Sequence, residues 1–212
     1  MFSTIIFDLD GLLSDTETLH MKAHQFVLNK YGISLGQMEY QDHWIRAGLG
    51  IKDYIENNNL PFSADKLREE KAIVYQHLLD CELCEMPGAK MVLEKLFKKK
   101  RLALASSSSK KDVLKVLNNL QIIDYFEIIA TKDDVKHKKP KPDILIHVAN
   151  LMDVNESECI VIDDAEKGIL AAHAAGMRSI AIPNKYTSNN DFQYATYILD
   201  SLFEVEKTLE LL

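Results

Sequence analysis

The sequence predicts an α/β fold: a Rossmann-like parallel sheet with an all-helical domain inserted near its start. Three observations predict it. From residue 88 onward, short apolar runs alternate with amphipathic helical stretches, the pattern of a parallel sheet covered on both faces. A run of the same strand character, Thr4-Ile5-Ile6-Phe7, stands alone near the N-terminus. Between them, residues 16–83 read as helical throughout. The economical division is a core of residues 1–15 and 88–212, with a helical domain over 16–87.

Each element has a local reason. The first strand is four β-favouring residues ended by acids. Leu19, Ala23, Phe26 and Val27 recur at helical spacing and Gly32 supplies a stop. A short helix fits 51–58. Ser63 is placed to cap a long helix carrying Leu67, Val74, Leu78 and Cys81. After Pro87-Gly88, a helix over 89–99 has Met91, Val92, Leu93, Leu96 and Phe97 for its inner face. Strands follow over 102–105, 126–130, 159–162 and 179–182. Helices over 110–120, 143–152 and 166–175 separate them, with Gly176 and Pro183 as punctuation.

Composition narrows the function. The 212 residues include 25 Lys+Arg and 32 Asp+Glu, a net charge of −7, with 47% hydrophobic and 27% charged residues. That is the composition of a globular domain rather than a disordered chain or a coiled coil. The acidic balance argues against a dedicated nucleic-acid binder. No apolar run approaches the roughly 20 residues that span a bilayer, and MFSTIIFDLD lacks the basic start of a signal peptide. Three cysteines fit a reducing compartment. The expectation is a cytoplasmic monomer with neither nucleic-acid nor membrane partners.

Ligands in open α/β sheets bind at the carboxyl ends of the strands, so the residues there carry the chemistry. The first strand is followed by Asp8-Leu9-Asp10-Gly11, the second by Ser106-Ser107-Ser108-Ser109. Past a short connection, the third leads to Lys138-Lys139-Pro140, and the fourth to Asp163-Asp164. Taken singly, these are turn residues, a serine N-cap, acids at a helix start and a solvated basic turn. Taken in order, they bring four acids, a hydroxyl and a lysine to one sheet edge. Clustered carboxylates repel unless a cation joins them, and hard oxygen ligands suit Mg²⁺, which commonly serves phosphate. A serine before a helix N-terminus offers a hydroxyl and backbone N–H groups to phosphoryl oxygens. A lysine neutralises charge on both reacting groups. An aspartate can attack phosphorus, and a second acid two residues on projects to the same side of an extended chain, where it can move a proton.

These motifs resemble the haloacid dehalogenase-like hydrolase superfamily, in its β-phosphoglucomutase-like branch, over nearly the whole chain. Asp8-Leu9-Asp10-Gly11 matches the first family motif, with Asp15-Thr16-Glu17 continuing the branch pattern. Ser106 matches the second motif, Lys139 before Pro140 the third, and Asp163-Asp164 the fourth, followed by Gly168-Ile169-Leu170-Ala171-Ala172 and Ala175-Gly176-Met177. The resemblance implies Asp8 as nucleophile and Asp10 as general acid/base. It implies Mg²⁺ held by Asp8, the Asp10 carbonyl and Asp164, with Asp163 as a further candidate ligand. Ser106, Lys139 and the Ser107 N–H would bind the phosphoryl group. The helical insert corresponds to the family's cap, which excludes water and selects substrate.

Two departures bear on the reaction. Where mutases of the branch carry Arg in a cap segment Gly-x-Ser-Arg, this chain reads Gly48-Leu49-Gly50-Ile51. Where they have Lys three residues after the second-motif serine, Ser109 stands here. The second phosphate clamp of a mutase is therefore missing, which favours hydrolysis. Asp10 weighs against dehalogenation, which needs no acid for an oxygen leaving group. The reading is an Mg²⁺-dependent phosphatase acting on a small phosphorylated metabolite, a sugar phosphate foremost, through an aspartyl-phosphate. The alternatives are a hexose-phosphate phosphomutase and a phospho-accepting regulatory module without turnover. His20, Trp44, Arg46 and Lys52 are the candidate substrate contacts of the insert. His77, Cys81 and Cys84 share a helical face but lack a second ligand pair, so packing is the simpler reading.

Overall fold

The computed structural model describes residues 2–211. The chain divides into two compact units, residues 1–15 with 84–212 and residues 16–83. In chain order, β1 (Thr4–Phe7) opens the first unit. The second unit holds α1 (Thr16–Asn29), α2 (Gln37–Tyr40), a π-helical turn (Gln41–Arg46), α3 (Ile51–Asn57) and α4 (Ala64–Cys81). Back in the first unit come α5 (Ala89–Phe97), β2 (Arg101–Ala105), α6 (Lys110–Asn119), β3 (Ile128–Ala130), α7 (Asp143–Met152), β4 (Cys159–Asp163), α8 (Glu166–Ala174), β5 (Arg178–Ala181), β6 (Tyr197–Ile198) and α9 (Val205–Leu209).

The sheet runs β3-β2-β1-β4-β5-β6, and every pairing is parallel. The order in which strands are added reverses at β1, which pairs with β2 on one side and β4 on the other. That switch point is where a doubly wound sheet opens a crevice for a ligand. All four β1 residues are buried, which is why the strand reads as an unbroken apolar run. Ile6, Ala103 and Val161 pack against Leu145 and Val148 of α7 and Ala171 and Ala172 of α8. The small alanines let the helices lie close to the sheet. β6, which the sequence does not predict, is two residues long and leaves Ile198 58% exposed, so it carries no apolar run to read.

In the helical unit, Val27 and Leu28 of α1 share a core with Tyr40, Ile51, Tyr54 and Leu67. Ser63 caps α4 by accepting from the Lys66 N–H at 3.4 Å. The expected boundary at 87/88 lies instead at 83/84. The reason is local pairing: the Asp15 N–H donates to the Cys84 carbonyl and the Met86 N–H to that of Leu13, both at 3.0 Å, with an antiparallel bridge from Ser14 to Glu85. Residues 84–87 are thereby stitched to the motif loop. Among the described residues, no helix is long and apolar enough to cross a membrane.

Candidate active site

The switch point assembles the site. Phe7 at the end of β1 stands opposite Leu104 of β2 and Ile162 of β4. The Asp8 N–H extends that ladder to the Ile162 carbonyl at 2.9 Å, so Asp8 emerges beside Asp163 and Asp164. Ser106 leaves β2 on the other side, its N–H donating to the Ala130 carbonyl at 3.0 Å. Lys139 arrives from the loop between β3 and α7.

Lys139 is the hub. Its Nζ donates to Asp8 Oδ1 and Asp163 Oδ2, each at 2.7 Å, and its side chain is 1% exposed. Burial pushes the Asp8 carboxyl from its ordinary value up to about 7; Lys139 opposes this, while Asp163 and Asp10 push the same way. Burial alone would lower the Lys139 ammonium, but Asp163 and Asp8 outweigh it and hold it above its usual value. Asp163 is pinned further by the Ala165 N–H on Oδ1 at 3.0 Å. Carboxylate oxygens of Asp8, Asp163 and Asp164 all lie within 4.8 Å of one another, and all three residues are buried. One ammonium among buried acids leaves negative charge in excess, and the donors are hard oxygens. This cluster could hold a divalent metal ion.

Asp10 Oδ2 accepts from the Ser106 hydroxyl at 2.9 Å and the Ser108 hydroxyl at 2.7 Å, and the Ser108 N–H donates back to Ser106 Oγ. The Ser107 hydroxyl oxygen is buried with no hydrogen-bond partner among the described residues. Ser109 is the N-cap of α6, accepting from the Asp112 N–H. The serine run therefore splits into site residues and a cap. Gly11 lies at φ +88°, and a Cβ there would fall 2.5 Å from Asp164 Oδ2, so the motif requires glycine at this position. Gly168 in α8 has a similar cause: a Cβ would meet Asp163 Oδ2 at 1.8 Å.

Residues 5–182 match the haloacid dehalogenase-like hydrolase family. The chain belongs to that family. It is 33% identical to a phosphorylated carbohydrates phosphatase of Thermotoga maritima over 83% of this chain and 82% of that one. Its structure superposes with a TM-score of 0.82 on CbbY from Rhodobacter sphaeroides in complex with phosphate, at 27% identity, covering 97% and 96% of the two chains. It superposes at 0.79 on a β-phosphoglucomutase from Clostridium difficile, at 29% identity, covering 99% and 96%. This hydrolase is a member of the β-phosphoglucomutase-like branch.

Two residues of the hydrolase's core site carry no clear signal in the sequence. Ser108 is hidden inside a run that looks like a loop and cap. Asn184, three residues past β5, donates to Asp164 Oδ2 at 2.7 Å and to the Gly11 carbonyl at 3.0 Å. Its one sequence signal is position: it stands beyond the carboxyl end of β5, as the acids and serines stand beyond those of β1, β2 and β4.

The helical unit holds the remaining candidates. His20 Nδ1 accepts from Lys71 Nζ at 2.6 Å, and its ring stacks on Tyr75 with centroids 4.0 Å apart. Lys71 has no mark in the sequence, where it sits in an ordinary charged stretch. Trp44, on the π-helical turn, packs among His24, Tyr40 and Tyr54 at 4.5–5.3 Å between centroids. Arg46 pairs with Asp42 at 2.7 Å and Lys52 with Glu56 at 3.7 Å, all exposed. Cys81 and Cys84, expected to pack, are instead exposed.

Proposed function

We propose that this hydrolase removes phosphate from a small phosphorylated metabolite, with sugar phosphates as the leading class, in an Mg²⁺-dependent reaction through phosphorylated Asp8. The enzyme is a phosphatase of its family; the cofactor, the intermediate and the substrate class are the proposed part. The observation that carries the reading is the buried Asp8–Lys139–Asp163 chain, with Asp164 beside it, at the switch point of the sheet.

An Asp8 oxygen attacks phosphorus, forming a new P–O bond while the bond from phosphorus to the ester oxygen breaks. Asp10 gives its proton to the departing oxygen. It then takes a proton from water, whose oxygen attacks phosphorus, releasing inorganic phosphate and restoring Asp8. Lys139 favours the charged form of Asp8 against the effect of burial and offsets charge on the phosphoryl oxygens. Ser106 and Ser107 bind those oxygens; the unpartnered Ser107 hydroxyl supports this. Asp8, Asp164 and the Asp10 carbonyl would hold Mg²⁺, with Asp163 steering Lys139 from its edge. When bound, the ion supplies the positive charge that lets an anionic ester enter a nest of carboxylates. The helical unit serves as the cap that selects substrate, with His20, Trp44, Arg46 and Lys52 as its contacts.

A phosphate-release screen over metabolite esters with Mg²⁺ tests this. Turnover lost with EDTA and in Asp8→Asn is the expected result. A stable phosphorylated Asp8 with no release from any ester would favour a regulatory module. The similarity to a β-phosphoglucomutase keeps one other outcome open: isomer interconversion stimulated by a sugar bisphosphate would make the enzyme a mutase.

A further inference from the structure

We propose that Asn184 is a positioning residue for the cation: its side-chain amide locks Asp164 and the Gly11 loop into the geometry that binds Mg²⁺. This rests on the proposed Mg²⁺ site at Asp8 and Asp164.

The orientation of the Asn184 amide is fixed by its surroundings. Asn184 Oδ1 accepts from the Tyr186 N–H at 2.7 Å, so that end must be the oxygen. Nδ2 therefore faces two acceptors, Asp164 Oδ2 at 2.7 Å and the Gly11 carbonyl at 3.0 Å. The backbone is held as firmly. The Asn184 N–H donates to Thr187 Oγ1 at 3.0 Å, and its carbonyl accepts from the Thr187 and Ser188 N–H groups. A turn of the chain thus presents one rigid amide.

That amide joins the two loops from which the cation's oxygens come. Asp164 follows β4; Asp8 and the Asp10 carbonyl belong to the loop after β1, which runs on into Gly11. The hydrogen bond to Oδ2 restricts rotation of the Asp164 carboxylate, and the bond to Gly11 ties the other loop to it. Partners of this kind outside the ligand set orient ligands, and their loss commonly weakens metal binding about 10–100-fold. Gly11 makes room for the arrangement, since a Cβ there would also lie 2.8 Å from Asn184 Nδ2. Asn184 lies just beyond residues 5–182, the part that matches the family.

Titration calorimetry of Mg²⁺ into the metal-free protein is the test, with the Mg²⁺ dependence of turnover beside it. Asn184→Ala is expected to weaken binding about 10–100-fold and to raise the Mg²⁺ needed for half-maximal rate, with turnover recovering at high Mg²⁺. Asn184→Ser takes its place should the alanine variant fail to fold. Thr187→Val, which loosens the same turn but keeps the amide, should weaken Mg²⁺ binding less than Asn184→Ala does. Equal affinity in the parent and the Asn184 variants, or equal weakening in Thr187→Val, overturns the proposal and leaves the Mg²⁺ reading intact. No Mg²⁺ binding by the parent overturns both.

Discussion

Asp8 is a carboxyl that the folded protein would rather keep neutral. Burial raises it to about 7, against 3.8 ordinarily, although Lys139 donates to it at 2.7 Å. Between about pH 4 and 7 the folded, metal-free chain therefore holds a proton there that the unfolded chain has released. Its stability should fall as pH rises through that window, by up to about 1.4 kcal/mol per pH unit. Asp8→Asn should flatten that slope and melt higher than the parent at pH 7 in EDTA, while losing turnover. Thermal melts across pH 4–8 in EDTA would measure it; an unchanged slope would mean that Asp8 is ionised throughout. Chemical competence here opposes stability, as it often does at active sites. Asp8, Asp10, Ser106, Asp163 and Asp164, which the structure brings together, were legible in the sequence because a reactive residue type at a strand end is an unusual placement, whereas Lys139, in the loop after β3, was legible through the family motif before Pro140. Ser108, Lys71 and Asn184 were not. A serine in a serine run, a lysine in a charged helix and an asparagine after a proline look the same whether or not they hold a candidate residue.

Among the elements, α8 shows how a helix can be shaped by a side chain it does not carry. Alanine is worth up to about 1 kcal/mol over glycine in a helix interior. Propensity alone would make Gly168→Ala stabilising. The Cβ would instead sit 1.8 Å from Asp163 Oδ2, the oxygen that accepts from Lys139. Overpacking of this sort costs about 1–3 kcal/mol, so the variant should lose stability on balance and turn over more slowly as Asp163 shifts from Lys139. Urea unfolding and initial rates would check both; a stabilised, fully active variant would show that Asp163 can move without consequence. The long elements were readable for an ordinary reason. Buried parallel strands and amphipathic helices repeat their signal over several residues. The two-residue β6, the five-residue α9 and the π-helical turn are too short to repeat anything.

For the molecule as a whole, the two units should respond to acid in opposite directions. His24 in the helical unit is 9% exposed and lies against Trp44. Burial, with Lys71 and His43 adding to it, lowers its pKa to about 3. From about pH 6.5 down to 3 the unfolded unit takes up a proton that the folded one refuses. The helical unit should therefore lose up to about 1.4 kcal/mol per pH unit on acidification, where the Asp8 contribution favours the core. Trp44 is the only tryptophan of the chain, so its fluorescence reports on the helical unit alone. It should change at a higher pH than the circular dichroism of the whole protein, and His24→Leu should shift that change to lower pH. Coincident transitions in the parent would show that the units unfold together.

The pairing of Asp15 with Cys84 has a meaning for how such proteins diversify. The chain leaves the core and re-enters it through backbones one hydrogen bond apart. To the sheet-bearing unit, everything between those residues is a loop whose two ends already meet, and closing a longer or shorter loop alters the entropy only logarithmically. The intervening residues can be lengthened, replaced or traded for another module without redrawing the sheet or disturbing its acids. On the proposed reading, chemistry and selectivity would thus be written on separable stretches of one gene, free to change at different rates.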